Sequence, residues 1–118
     1  MTGTYDNYDS GEKQSAQQTA YTVSAVADYL KVSLESDPRL ADLTVIGEVS
    51  GYRNPSSGHH YFALRDQKSI IRCVMFKSGR GGQFLSDGTQ VICRGKISIY
   101  TARGDLQFYV NQVEPDGV

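Results

Sequence analysis

Basic and aromatic side chains are concentrated between Ile46 and Phe76 of this 118-residue chain. This stretch holds four cations and four aromatic rings but only two acids, Glu48 and Asp66. The cations are Arg53, Arg65, Lys68 and Arg72, and the rings are those of Tyr52, Tyr61, Phe62 and Phe76. Aromatic rings stack on nucleobases and cations neutralise phosphates, so this composition on a sheet favours contact with a single-stranded nucleic acid. Cross-strand aromatic packing and an ordinary solvated face account for the same residues without a ligand.

The charge of the chain is unevenly distributed, although its net value is −1. Residues 43–104 carry nine basic and three acidic groups, whereas residues 1–42 carry three and seven, and residues 105–118 carry none and three. Salt screens charges beyond roughly 8 Å, so a basic surface in the middle region attracts a polyanion despite the acidic ends.

Other reactive residue types favour no chemistry. Adjacent strand residues point to opposite faces, so His59 and His60 do not share a metal ion easily. Cys73 and Cys93 lie among apolar strand residues and are expected to be small buried hydrophobes rather than a disulfide or a reactive thiol. We predict no metal, no cofactor and no catalytic residue, and therefore expect the chain by itself to be non-catalytic.

Length and composition predict one domain with a tail. Residues 1–20 are polar and are expected to form a disordered N-terminal tail, and residues 21–116 are expected to form the domain. No apolar run approaches the roughly 20 residues that span a bilayer, so no membrane association is predicted. No secretory signal is visible at the N-terminus, and the cytoplasm is the expected compartment.

The first predicted element is an amphipathic helix that runs to about Ser36 and lies on one end of a β-core. Its apolar stripe follows the helical period and consists of Val23, Val26, Ala27, Leu30 and Leu34. Thr22 or Ser24 is the expected N-cap, Pro38 the stop signal, and residues 39–42 a short connection.

From Leu43 the apolar period changes to two, which predicts β-strands. Strands are expected over residues 43–52, 59–65, 70–76, 89–100 and 106–113. Gly47 and Gly51 suggest that the first strand bends. Residues 77–86 are expected to be a flexible connection with room for one helical turn.

Alternation also assigns side chains to faces. Those expected inside are Phe62, Leu64, Ile71, Cys73, Met75, Leu106, Phe108 and Val110. Those expected outside on the second and third strands are Tyr61, Ala63, Arg65, Arg72, Val74 and Phe76.

One helix and five strands are most simply closed as a mostly β, five-stranded OB-fold barrel, since an open sheet would leave two apolar edges. The usual helix of that fold lies between strands three and four, where this chain has only a weak candidate. Such barrels bind oligonucleotides on strands two and three and on two flanking loops. The candidate DNA-binding residues are therefore Arg53, Ser56, Ser57, His59, Tyr61, Arg65, Arg72, Phe76, Tyr100 and Arg103.

Four blocks in series resemble the N-terminal domain of the exonuclease VII large subunit family over roughly residues 21–116. They are TVSAVADYLKVSLE, VIGEVSGYRNPSSGHHYFALRD, IIRCVMFKS and GTQVICRGKISIYTARGDLQFYV. The resemblance implies an OB-fold that holds single-stranded DNA for a nuclease domain, in a bacterial enzyme that degrades single strands to oligonucleotides. It also implies a C-terminal region that binds several small subunits. The family's catalytic residues have no matching positions here, so the sequence looks like a fragment without the catalytic and C-terminal regions.

Two classes of function remain open. The first is a single-stranded DNA-binding module. The second is a protein-interaction OB module whose barrel face docks onto the catalytic domain or onto another subunit.

Overall fold

The computed structural model describes residues 19–117, so the predicted N-terminal tail lies almost entirely outside the described residues. The elements of this range, in chain order, are α1 (Val23–Glu35), α2 (Pro38–Ala41), β1 (Leu43–Arg53), β2 (His60–Arg65), β3 (Ile70–Met75), a 3₁₀ turn (Gly82–Phe84), β4 (Gln90–Tyr100) and β5 (Asp105–Pro115). Within this range no helix is long and apolar enough to cross a membrane.

The five strands close into a barrel in the order β1-β2-β3-β5-β4. Strands β3 and β5 pair in parallel, and the other neighbours pair antiparallel. Closure leaves no apolar edge unpaired, whereas an open sheet of the same strands would leave two. The predicted fold class, a mostly β, five-stranded OB-fold barrel with an N-terminal helix, is confirmed.

Strand alternation assigned most of the core correctly. Phe62 and Leu64 are buried, as are Cys73 and Met75 on the next strand. The expectation for Leu106 was wrong: it lies near the start of β5 and remains 49% exposed. The two thiols are free and buried, as expected, and burial raises the pKa of Cys93 to about 12.

Strand β1 bends at a bulge between Ser50 and Arg53. Gly51 supplies the positive φ of 62° that this bend requires, a conformation that other residues adopt only with strain. Within the bulge, the backbone N–H of Tyr52 donates to the carboxylate of Asp87 at 2.8 Å. The bend brings Arg53 opposite Tyr61 on β2.

Helix α1 begins at the predicted cap, since the Thr22 hydroxyl accepts a hydrogen bond from the Ala25 N–H at 3.0 Å. It packs on β4. Pro38 does more than stop α1, because it starts the short helix α2, where the sequence predicted only a connection. Ala27 is the one buried residue of α1, whereas Val23 is 88% exposed, so the predicted apolar stripe is only partly used for packing.

The connection between β3 and β4 is tied to the barrel, contrary to the expectation of a flexible segment. Arg80 exchanges two backbone hydrogen bonds with β5, one to Asn111 at 3.0 Å and one from Val113 at 2.8 Å. Gly81 allows this approach, because it has φ +92° and a Cβ there would lie 1.9 Å from the Val113 carbonyl oxygen. The following turn inserts Leu85 into the core.

Candidate nucleic-acid interface

A groove of about 950 Å³ runs over the outer face of β2, β3 and β5. Its walls combine aromatic, aliphatic and basic side chains, and the acidic residue Asp105 also lines it. The side chains that line it from the outer face and the adjoining loops include Arg53, Tyr61, Ile70, Arg72, Val74, Phe76, Tyr100, Leu106, Gln107 and Tyr109. The antiparallel β2-β3 pair and the parallel β3-β5 pair position these residues, because strands side by side in a sheet present one continuous face.

The register aligns a row of side chains across the groove. Tyr61 on β2 is opposite Val74 on β3, and Val74 is opposite Tyr109 on β5. Val74 points outward as predicted but is only 6% exposed, since it lies between the two tyrosines. It therefore forms an apolar floor with an aromatic ring on either side.

Arg53 extends this row onto β1. Its guanidinium lies 5.2 Å from the centre of the Tyr61 ring, within cation–π distance. A planar cation stacked on a ring offers a second flat surface on which a nucleobase can stack.

Arg72 places a second cation in the groove. Its strand neighbours are Ala63 and Gln107, neither of which is charged. Within residues 19–117, no carboxylate lies within 4.0 Å of its guanidinium. Its exposed side chain is thus placed to meet a phosphate.

The rings of Phe76 and Tyr109 form an aromatic ledge in the groove. The Phe76 ring is 52% exposed, meets the His59 ring edge-on at 5.2 Å, and lies 6.5 Å from the Tyr109 ring. His59 is itself held, because its Nδ1 accepts the Lys77 N–H at 3.0 Å. The ledge is therefore braced, so a base that stacks there meets a surface already ordered.

Several polar groups of the loop before β2 form hydrogen bonds within the loop itself. The Ser57 hydroxyl accepts the His59 N–H at 3.3 Å, and the Asn54 side-chain amide donates to the His59 carbonyl at 2.9 Å. A further backbone bond links Gly58 to Pro55 at 2.9 Å. The Ser57 hydroxyl therefore stabilises the turn before β2.

His60 is turned away from the groove toward the barrel. Its ring stacks on Tyr52 at 5.9 Å, and its Nδ1 lies 2.8 Å from the Tyr52 hydroxyl. Burial lowers the pKa of His60 below its ordinary value of 6.5, and the neighbouring His59 adds to the effect. The two histidines face different surroundings, and residues 19–117 contain no cluster of three or more metal-ligating side chains.

The structure brings half of the predicted site residues together. Those that line the groove are Arg53, Tyr61, Arg72, Phe76 and Tyr100. The other five lie outside its lining: Ser56, Ser57, His59, Arg65 and Arg103.

The two arginines of that second set have acidic partners. Arg65 pairs with Glu48 at 3.3 Å, and Arg103 pairs with Asp105 at 3.4 Å. Both arginines are more than half exposed, and exposed pairs of this kind are weak, so they are open to exchange with a phosphate.

Sequence reasoning missed three residues that β5 contributes to the groove: Gln107, Tyr109 and Leu106, the last of which was expected inside the barrel. Alternation placed Phe108 and Val110 inside, which leaves positions 107 and 109 outside. The missing step was the parallel pairing of β5 with β3, a non-local contact that the OB strand order would have supplied.

A closed five-stranded barrel with a basic and aromatic groove over β2 and β3 defines the class of oligonucleotide-binding barrels. Residues 21–114 match the family model described as an OB-fold nucleic acid binding domain, and the chain belongs to this family.

Curated relatives carry the name exodeoxyribonuclease 7 large subunit, which confirms the resemblance drawn from the four sequence blocks. The relative from Alkaliphilus oremlandii is 46% identical over 104 residues, which cover 86% of this chain and 26% of the relative. The relative from Brevibacillus brevis is 45% identical over 105 residues, covering 87% and 23%. The chain thus spans about a quarter of the length of these relatives.

Solved structures share the fold at low identity. A replication protein A heterotrimer bound to single-stranded DNA matches with a TM-score of 0.57 and 11% identity, covering 68% of this chain and 61% of that one. Asparaginyl-tRNA synthetase from Pyrococcus horikoshii matches with a TM-score of 0.55 and 19% identity, covering 71% and 22%. At these identities the likeness concerns the fold alone.

Proposed function

We propose that this chain binds single-stranded DNA in the groove on the outer face of β2, β3 and β5. The observation that carries the proposal is the meeting of four aromatic rings and two arginines in one groove: Tyr61, Phe76, Tyr100, Tyr109, Arg53 and Arg72. Rings supply stacking for any base, and cations supply attraction for the backbone, so binding is expected to be largely independent of sequence.

Each part of the groove has a role in this proposal. Bases stack on the ledge of Phe76 and Tyr109 and on the Arg53–Tyr61 pair, while the buried Val74 side chain forms the apolar floor of the groove. Arg72 contacts a phosphate, because no carboxylate among residues 19–117 lies within 4.0 Å of its guanidinium.

We further infer that the domain serves an exodeoxyribonuclease by holding the single strand while another region hydrolyses phosphodiester bonds. The names of the curated relatives support this role. The described residues contain no cluster suited to metal-dependent hydrolysis, so the chain by itself is proposed to be non-catalytic. Small-subunit binding belongs, in this proposal, to the remaining length of such large subunits, and the working compartment is the cytoplasm.

Fluorescence anisotropy with labelled dT and mixed-sequence oligonucleotides at low salt tests the proposal. Binding of both single strands with similar affinity, and weaker binding of a duplex of the same length, is expected. Absence of binding to any single strand at high protein concentration would reject it. Labelled strands incubated with the chain should stay intact, and cleavage that co-purifies with it would contradict the non-catalytic role.

Salt dependence separates this proposal from the protein-interaction alternative. Displaced counterions make log K fall steeply with log salt, by about 0.7 for each phosphate contacted on a single strand. A barrel face that docks onto protein through apolar contacts would give a shallow slope, and a shallow slope would favour the alternative.

A further inference from the structure

Strand β4 extends the sheet that carries the groove, because it lies next to β5 in the barrel. Three residues of β5 that line the groove lie directly opposite outward-pointing residues of β4. The pairs are Asp105 with Tyr100, Gln107 with Ser98, and Tyr109 with Lys96. These pairs are the points at which a single strand bound in the groove can continue onto the outer face of β4.

Two of the three pairs are unsuited to a phosphate backbone. At the first pair, Asp105 places a carboxylate in the groove, and a carboxylate repels a phosphate. At the second pair, Ser98 is only 1% exposed, since α1 packs on β4 and the Ser98 hydroxyl donates to the Glu35 carboxylate of α1 at 2.6 Å. A strand crossing there would meet the helix and a second carboxylate.

The third pair is both open and basic. Lys96 is exposed, and among the residues that the structure describes no carboxylate lies within 4.0 Å of its ammonium. Tyr109 has Val74 beside it on the groove side and Lys96 beside it on the other. Residues directly opposite in an antiparallel pair have Cβ atoms about 4.5 to 5.5 Å apart. The ammonium is therefore within one side-chain length of the aromatic ledge.

The neighbouring charges on this side of the barrel are already paired. The Glu35 carboxylate pairs with Lys31 at 3.1 Å. The Asp42 carboxylate accepts two hydrogen bonds from Arg94, each of 2.8 Å. Lys96 lies on β4 beside both pairs but belongs to neither, which leaves its ammonium available to an anion.

We propose that the bound single strand crosses the Tyr109 ring and that Lys96 binds one of its phosphates on the outer face of β4. This inference rests on the proposed function, because it extends the same site. A base stacked on Tyr109 brings its own backbone beside the ring, where an ammonium on a flexible four-carbon stem reaches a phosphate. The path leaves strands two and three and their flanking loops, which are the usual oligonucleotide surface of an OB barrel.

Anisotropy titrations over a salt series, with a labelled dT oligonucleotide of about 12 nucleotides, test the inference. Lys96→Ala should weaken binding and lower the magnitude of the salt slope by about 0.7, the value for one phosphate contact. The advantage of the wild type should then shrink about two- to threefold between roughly 50 and 200 mM salt. Lys96→Arg keeps the cation and should keep the wild-type slope. Lys96 is exposed, so both variants are expected to fold.

The matched control is Arg94→Ala, which removes a cation from the same strand, but one already bonded to Asp42. Its salt slope should equal that of the wild type. An equal fall in the slopes of Arg94→Ala and Lys96→Ala would assign the effect to net charge and would overturn the Lys96 contact.

A double-mutant cycle tests the route across the ring. In a Tyr109→Ala background, Lys96→Ala should weaken binding less than it does in the wild type, because the base that positions the phosphate is no longer held. With Arg72→Ala, which concerns a different phosphate, the two falls in slope should add to about 1.4. Independent effects of Tyr109 and Lys96 would overturn the proposed path.

Failure of this inference is distinguishable from failure of the proposed function. If the wild type binds and Arg72→Ala lowers the salt slope while Lys96→Ala does not, the groove is retained as the binding site and the path over β4 is rejected. If the wild type binds no single strand, both proposals are rejected.

Discussion

At the scale of single residues, the groove divides its work between stacking and charge. Phe76 and Tyr109 are held in place by neighbouring rings, whereas Arg72 stands between uncharged neighbours. The two kinds of contact respond differently to salt, because only the loss of a cation changes the number of counterions released. Substitutions at the two kinds of position are therefore distinguishable in one titration series.

Replacing Arg72 with Ala should weaken binding to all single strands alike. The magnitude of the salt slope should fall by about 0.7, the single-strand value for one phosphate contact. Anisotropy titrations over a salt series measure both quantities. Arg94→Ala is the matched control, since Arg94 pairs with Asp42 at 2.8 Å and lies outside the groove lining. Equal slopes for wild type and the Arg72 variant would remove Arg72 from the interface.

Replacing Phe76 or Tyr109 with Ala should cost about 1 to 3 kcal/mol of binding free energy if a base stacks there. The salt slope should stay nearly unchanged, because no counterion is involved. Tyr29→Ala on α1 removes an exposed ring outside the groove and should bind as the wild type does. An unaltered affinity for both groove variants would mean that the ledge packs only against itself.

At the scale of elements, local periodicity predicted where the helix and the strands lie, but not which of their apolar residues the rest of the fold covers. Alternation assigned Phe62 and Leu64 to the core, because the two faces of a strand differ in burial. The helix period found α1, but the period alone does not decide which apolar residues are covered, and Val23 is not. Residues 77–86 were expected to be flexible, whereas Arg80 forms two backbone hydrogen bonds with β5. Hydrogen bonds between main chains are not visible in the residue types of the sequence.

Two glycine substitutions test whether the connection between β3 and β4 is held against β5. Gly81→Ala should destabilise the fold severely, because the new Cβ would lie 1.9 Å from the Val113 carbonyl oxygen and would add left-handed strain. Gly88→Ala has a similar φ of +86° but nothing within 4 Å, so it should cost only about 1 to 2 kcal/mol. Urea denaturation compares the two variants, and equal losses would show that the connection is not held against β5.

His60 should make stability depend on pH. Its pKa is lowered by burial and by His59, so the unfolded chain takes up the proton first as the pH falls. The stabilisation is complete above about pH 6.5. It is then lost as the pH falls from there through the folded-state pKa. Melting temperatures between about pH 8 and pH 5 should show this decline in the wild type and a smaller one in His60→Gln. The same decline in both proteins would assign it to other groups.

At the scale of the whole molecule, the groove and helix α1 lie on different parts of the barrel. The barrel carries its basic and aromatic groove over β2, β3 and β5, and α1 packs on β4. The family and the barrel were accessible from the sequence, because several specific blocks occur in order at the right spacing. The contribution of β5 to the groove was not accessible from the sequence, because β5 reaches the groove only through its parallel pairing with β3.

The central claim is that single-stranded DNA occupies the groove of β2, β3 and β5, and amide chemical shifts during titration with a dT oligonucleotide locate the contact directly. The account predicts that the largest shifts fall on β2, β3 and β5, at Tyr61, Arg72, Val74, Phe76 and Tyr109, with α1 unchanged. Shifts concentrated on α1 or on the outer face of β1 and β4, with those five amides unmoved, would contradict it.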